Sequence, residues 1–247
     1  MNKLGQNFLI NRNIADKIVD LIKIKGKNII EIGGGKGILT ERIIQKLPEE
    51  ILVFEIDEKL CECLKEKFGD RILLVCKDIL SFSEFGEKEY TLISNLPYYI
   101  SKEIIEWIIM NKQSIYNGVL MLQNDFVKKI LSLQTPLSIL FNTFFSLKII
   151  FKVNKGSFTP MPKVLSVVFT FQREARTFFS ESNMFYEFLK MGFRKKRKTL
   201  INNLSKHYDK EKILLFFKEN NIDAKIRAQQ LGKHNFIKLF QLLEKNI

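Results

Sequence analysis

Four residues, Asn95-Leu-Pro-Tyr98, follow the apolar run Tyr90-Thr-Leu-Ile-Ser94 and combine groups suited to gripping a flat base with an exocyclic amine. The side-chain oxygen of Asn95 can accept a hydrogen bond from that amine. Pro97 lacks an N–H and fixes φ, so the chain must turn and leave backbone carbonyls available as acceptors. Tyr98 offers a π-face on which a base stacks, worth roughly 1–3 kcal/mol per base. The same residues also make an ordinary turn, so the reading depends on whether the chain supplies a reactant for the amine.

A reactant site is readable upstream. Glu31-Ile-Gly33-Gly-Gly35-Lys-Gly37 lies between an apolar run and an amphipathic stretch. Glycines there let the backbone approach a ligand and leave helix N-terminal amides available. The dinucleotide fingerprint needs a glycine at its sixth position, which Ile38 occupies. The pattern is instead acid-x-Gly-x-Gly-x-Gly, as in S-adenosylmethionine sites. Glu55, at the end of the second predicted strand, is placed to accept both ribose hydroxyls of a nucleoside cofactor, with Asp57 a nearby competitor. Asp78 ends the third strand and could accept from the cofactor's adenine amine. Ligands of open α/β sheets bind beyond the carboxyl ends of strands, where all these residues fall.

The elements that must hold them follow from periodicity. Strands are predicted over 28–32, 51–54, 72–76, 91–94 and 118–122, alternating with helices over 14–22, 38–47, 58–68, 102–110 and 124–133. This alternation signals an α/β fold with a parallel, Rossmann-like sheet. A further helix is expected over 137–146, then two strands, 147–153 and 165–171, closing the sheet as an antiparallel hairpin. Beyond Arg173 the β signal ends and short helical stretches take over. We therefore expect a catalytic domain over 1–173 and a small all-helical domain over 174–247.

Composition sets the class of partner. The 247 residues carry 40 Lys and Arg against 27 Asp and Glu, a net charge of +13, which points to a polyanion such as nucleic acid. Residues 174–247 alone hold 16 Lys and Arg against 8 Asp and Glu. Arg194, Lys195, Lys196, Arg197 and Lys198 form a run with no acid between Phe188 and Lys206 to offset it, so phosphate contact is favoured over a merely solvated helix face. Three cysteines, Cys61, Cys63 and Cys76, show neither zinc spacing nor a disulfide framework; they read as buried small hydrophobes in a reducing cytosol. No signal-peptide core and no membrane-spanning run is present, so a cytoplasmic protein without a metal is expected, and nothing requires more than a monomer.

The chain resembles the ribosomal RNA adenine dimethyltransferases of the KsgA type. Leu4-Gly-Gln-Asn-Phe-Leu9 is similar to that family's N-terminal signature; Glu31 to Thr40, Phe54-Glu-Ile-Asp57, Asp78-Ile-Leu80 and Asn95 to Ser101 match its next motifs in order. Met121-Leu-Gln123, Phe158 to Ser166, Gly192 to Leu200 and Ile226 to Leu231 complete a resemblance covering essentially the whole sequence. Departures are Gly34 where many members carry Pro, which loosens the loop; a shortened stretch after Lys129 with Gln134-Thr-Pro136; and two Lys at 195–196 in place of part of the family's Arg-rich run.

The resemblance implies S-adenosylmethionine as cofactor, held by Gln6, Asn7, Leu9, Glu31, Gly33, Gly35, Glu55, Ile56, Asp78, Ile79 and Asn95. It implies transfer at Asn95, Leu96, Pro97 and Tyr98, with Tyr98 and Phe158 sandwiching a flipped adenine. For Phe158 the plainer reading is a loop residue packing on the sheet. The implied reaction is dimethylation of two adjacent adenines in a hairpin near the 3′ end of small-subunit (16S) ribosomal RNA, within a subunit precursor. Rival readings are a macrolide-resistance methyltransferase acting on large-subunit RNA, and an assembly factor whose methylation is secondary. A DNA adenine methyltransferase would more often carry two prolines where Leu96-Pro97 stands.

Overall fold

The computed structural model describes residues 6–82, 85–174 and 182–244. Two compact units are formed, one from 1–127 with 146–173 and one from 128–145 with 174–247.

The first unit is built on a seven-stranded sheet. In chain order it comprises β1 (Phe8–Leu9), α1 (Arg12–Val19), β2 (Asn28–Ile32), α2 (Ile38–Gln45), β3 (Glu50–Phe54), α3 (Glu58–Phe68), β4 (Leu73–Val75), β5 (Tyr90–Asn95), α4 (Ser101–Met110) and β6 (Ile115–Gln123), after which α5 (Asn124–Leu131) leads away. It closes with β7 (Phe145–Val153), β8 (Phe158–Thr159) and β9 (Ser166–Arg173). The sheet order is β4-β3-β2-β5-β6-β9-β7. β2 to β6 pair in parallel, whereas β9 runs antiparallel to β6. Continuous apolar runs in β2, β3 and β5 suit strands covered on both faces, and all but their first or last residues are buried. The order reverses between β2 and β5, creating the crevice in which such sheets bind ligands.

Two features of this unit were not expected. β1 pairs antiparallel with β8, Phe8 opposite Thr159 and Leu9 opposite Phe158, in a ladder separate from the main sheet. Cys61 and Cys76, expected as independent buried hydrophobes, are joined as a disulfide with Cα atoms 6.1 Å apart, while Cys63 is exposed and free. The reason is topological: α3 folds back along β4, so residues 15 apart in sequence meet.

The second unit is helical: α6 (Pro136–Phe144), α7 (Ser182–Phe193), α8 (Leu200–Leu204), α9 (Lys210–Glu219), α10 (Ala228–Leu231) and α11 (Lys233–Glu244). Phenylalanines fill its core. Phe188 lies 5.4 Å from Phe240 by ring centroid and Phe193 stacks on Phe236 at 5.6 Å. The expected division after Arg173 assigns 128–145 to the sheet domain, whereas this segment packs in the helical unit. α6 is apolar nearly all round, with Leu137, Ile139, Leu140, Phe141 and Phe144 buried, and such a helix must be covered on every side. Asn142 fastens it, its Nδ2 donating to the Ile130 carbonyl and its own carbonyl accepting from Lys233 Nζ, each at 2.7 Å.

Candidate active site

The carboxyl ends of β2, β3, β4 and β5 converge on a cavity of about 250 Å³. Glu55 follows β3 and is 4% exposed. Its Oε2 accepts from the Gly35 amide at 2.8 Å; its Oε1 accepts from Ile56 at 2.9 Å and Asp57 at 3.1 Å. A carboxylate offers about four lone-pair sites, so with three taken by amides, one on Oε2 remains for a ribose hydroxyl in the cavity. Asp57 does other work. It caps α3, accepting from the Lys59 and Leu60 amides at 3.0 and 3.2 Å, and the cavity wall does not include it.

The glycine loop differs from expectation in its amides. Gly33 and Gly34 donate to the Phe54 carbonyl, Gly35 to Glu55 and Gly37 to the Gly34 carbonyl. What the glycines supply is backbone shape: Gly35 has φ +55°, which a side chain would strain, and its N–H thereby reaches Glu55. At Gly34 a Cβ would stand 2.6 Å from Val53 Cγ1 and 2.9 Å from Leu64 Cδ1. The bulk of those two side chains accounts for glycine at this position better than a need for looseness.

Glu31 and Leu9 lie outside the cavity. Glu31 is 1% exposed beneath the loop and accepts from Thr40 Oγ1 at 2.7 Å, tying β2 to α2. Burial pushes its pKa up to about 8; the Thr40 hydrogen bond opposes this and the charge of Glu55 adds to it. Leu9 is buried in the apolar core. Gln6, Asn7, Gly33, Ile56 and Ile79 do line the cavity, as does Asp78, which accepts from the Leu80 amide at 3.0 Å.

Asn95 ends β5 and also lines the cavity. Its Nδ2 donates to the Asn7 carbonyl at 3.3 Å, which leaves Oδ1 as the accepting end of the amide. Leu96 is buried, its N–H bonded to the Met121 carbonyl at 3.2 Å, and Pro97 turns the chain at φ −60°. The Tyr98 carbonyl accepts from Ser101 Oγ at 2.9 Å. Leu96, Pro97 and Tyr98 all border the cavity. Phe158 does not: its ring is 3% exposed within the core, because pairing of β8 with β1 turns it inwards beside Leu9. The expected Tyr98–Phe158 sandwich is corrected to this extent.

Sequence reasoning missed several wall residues: Phe8, Ile32, Phe54, Lys77, Tyr99 and Ile100. Phe8 and Tyr99 sit inside motifs that were recognised, and their adjacency to Asn7 and Tyr98 was the available signal. Tyr99 remains 52% exposed, and its phenol pKa is raised by burial and then by the charges of Asp78 and Glu55. Together, a carboxylate with a site left for a ribose hydroxyl, a second acid and an apolar wall fit a nucleoside cofactor such as S-adenosylmethionine.

In the helical unit, Arg194 to Lys198 form an exposed loop between α7 and α8, not a helix face. Buried Asn203 anchors it, donating from Nδ2 to the carbonyls of Gly192 at 2.7 Å and Lys195 at 3.3 Å. Among the described residues, no group of three potential metal ligands occurs and no helix is long and apolar enough to cross a membrane.

Comparison with known proteins agrees in extent and kind. The chain is 38% identical over 244 residues to the ribosomal RNA small subunit methyltransferase A of Mycoplasmopsis pulmonis, covering 96% of each. It is 37% identical over 251 residues to the protein of that name from Mesomycoplasma hyopneumoniae strain 232, covering 99% of this chain and 96% of the relative. A dimethyladenosine transferase from Plasmodium falciparum superposes with a TM-score of 0.81 at 25% identity, over 94% of this chain and 95% of that one. The 23S rRNA methyltransferase ErmE shares the fold, with a TM-score of 0.74 at 20% identity over 96% of this chain and 100% of its own. The profile of the family described as ribosomal RNA adenine dimethylase matches residues 1–245, and on that match the chain belongs to the ribosomal RNA adenine dimethylase family.

Proposed function

We propose that this family member dimethylates the exocyclic amines of two adjacent adenines in a hairpin near the 3′ end of small-subunit (16S) rRNA, in a precursor of that subunit, with S-adenosylmethionine as donor. One observation carries the reading: Asn95, Leu96, Pro97 and Tyr98 line the same cavity as Glu55 and Asp78, and the Asn95 amide has its nitrogen end engaged by the Asn7 carbonyl. When bound, the donor supplies a methyl group on a sulfonium centre. Glu55 would hold a ribose hydroxyl, Asp78 its adenine amine, and the glycine loop its remaining length.

An adenine amine is a poor nucleophile because its lone pair is delocalised into the ring. Asn95 Oδ1 and the carbonyl of Leu96 or Pro97 would accept hydrogen bonds from its two N–H groups, favouring a pyramidal nitrogen with its lone pair aimed at the methyl. Forming the N–C bond breaks the donor's sulfonium S–C bond, whose electron pair stays on sulfur, and the now cationic nitrogen loses one N–H proton to solvent water. The cavity wall holds no histidine, so positioning supplies most of the rate. Tyr98 stacks on the flipped base. The exposed 194–198 loop would contact RNA phosphates.

Incubation of the protein with labelled S-adenosylmethionine and undermethylated small subunits, followed by mapping, should place label on two adjacent adenines near the 3′ end. Label confined to large-subunit RNA or to DNA would overturn the assignment. The large-subunit alternative gains nothing from the likeness to ErmE, which at 20% identity is one of fold.

A further inference from the structure

Tyr98 is one of 6 tyrosines in a chain with 22 phenylalanines, and stacking alone needs no hydroxyl. Its phenol nevertheless has a defined partner: Oη lies 2.5 Å from Ser166 Oγ. Ser166 is fully buried and begins β9, opposite Gln123 at the end of β6. The flanking Asn124 amide donates to the Leu165 carbonyl at 3.0 Å, so the ladder is held on both sides of the serine. The hydroxyl partner of Tyr98 therefore stands on the paired sheet, at the first residue of β9.

The ring is thus held at two points, at its backbone through the Ser101–Tyr98 carbonyl bond and at its far end through Ser166. A tyrosine ring fixed only at Cα can swing about two side-chain torsions. One tied at Oη as well has its direction fixed, because a swing about the first torsion would carry Oη away from Ser166, while the second only turns the ring about the axis on which Oη lies. We propose that Ser166 is a positioning residue that fixes the direction in which the Tyr98 ring points, so that the target adenine stacks against it with its amine in line for transfer. This rests on the adenine-methylating reading above. It adds to that reading a residue 68 positions downstream, on the antiparallel strand, that touches neither reactant.

The test is a double-mutant cycle on the intact protein with undermethylated small subunits and S-adenosylmethionine, read as kcat and as the Kd of the cofactor. Ser166→Ala should lower kcat about three- to tenfold, the range that one neutral hydrogen bond commands, with cofactor Kd unchanged. Tyr98→Phe, which keeps the ring, should give the same loss. The double variant should be no worse than either single one, and Ser166→Thr, which keeps the hydroxyl, should return most of the activity.

An unchanged kcat in Ser166→Ala, losses that multiply in the double variant, or a parallel rise in cofactor Kd would overturn the inference. Failure of the underlying reading looks different, because then the unaltered protein would leave small-subunit adenines unmethylated. Melting curves for every variant separate a loss of folding from a loss of positioning: a kcat deficit that persists far below Tm supports the inference, and one that vanishes there refutes it.

Discussion

In the cavity at the sheet's strand ends, two polar side chains that line it, Glu55 and Asn95, are already held. Three amides bind Glu55, and the Asn7 carbonyl takes one end of the Asn95 amide. Beneath the glycine loop, Thr40 bonds Glu31. The 194–198 loop of the helical unit is arranged in the opposite way. There Asn203 holds the backbone, while five cationic side chains stand exposed. Methyl transfer needs atoms in line to within a fraction of an ångström, which only pre-organised groups supply. Attraction to phosphates needs charge within a Debye length and tolerates mobile side chains. Substitutions in the cavity should therefore act steeply and specifically, and those in the loop gently and additively.

The largest effect is expected at Asn95. Asn95→Ala removes one pre-organised acceptor and should lower kcat roughly 10²–10³-fold, by the measure of a single oriented hydrogen-bonding group in an active site. Cofactor affinity should stay largely intact, as equilibrium binding of S-adenosylmethionine would show. An equal loss of cofactor binding would move Asn95 to the cofactor's side of the cavity and blur the contrast drawn above.

A smaller effect concerns stability at Glu31. Its carboxyl keeps its proton in the folded protein up to about pH 8, against an ordinary value of 4.5. Between those values the unfolded chain has lost a proton that the folded protein retains. Stability attributable to this group therefore falls as pH rises from 4.5 to 8 and levels off beyond. At about 1.4 kcal/mol per pH unit of separation the drop is on the order of a few kcal/mol. Glu31→Gln keeps an acceptor for Thr40 but cannot ionise, so its denaturation midpoint should vary less with pH across this window. Parallel pH profiles for the two proteins would show that Glu31 is not held protonated.

Much of this was legible in the sequence because the signals are local. The alternation of apolar runs with amphipathic stretches yields the parallel strands β2 to β6, and predicted helix 58–68 coincides with α3. The acid-glycine spacing brings Gly35 to Glu55 across 20 residues, since each lies at the end of a strand in register with the other. What was not legible depends on partners distant in sequence. A two-residue strand such as β1 has no periodicity of its own; only its pairing with β8 defines it and turns Phe158 into the core. α6 looks like a continuation of the sheet domain until its apolar circumference is matched to a helical neighbour. Cys61 and Cys76 carry no motif, and their meeting is a product of how α3 returns along β4. The bond from Tyr98 to Ser166 likewise follows from β9 being antiparallel to β6, a fact of topology.

The smallest effects should come from the loop, taken one residue at a time. Replacing any one of Arg194, Lys195, Lys196, Arg197 or Lys198 by Ala removes at most one phosphate contact. The slope of log binding constant against log salt should then become shallower by about 0.7–0.9. At moderate salt that is a few-fold change in RNA affinity, and kcat at saturating substrate should be unaltered. Because the side chains share no acidic partner between Phe188 and Lys206, their losses should add, so that the five-fold alanine variant shows roughly the sum of the five slopes. Filter binding of small-subunit RNA over a salt series measures this directly. One residue carrying most of the effect, with the others silent, would mean that the loop reads a specific feature of the RNA through a held contact. The contrast between a positioned cavity and a merely charged loop would then fail. An unchanged slope in the five-fold variant would remove the loop from RNA binding altogether and leave its charge as a solvated surface.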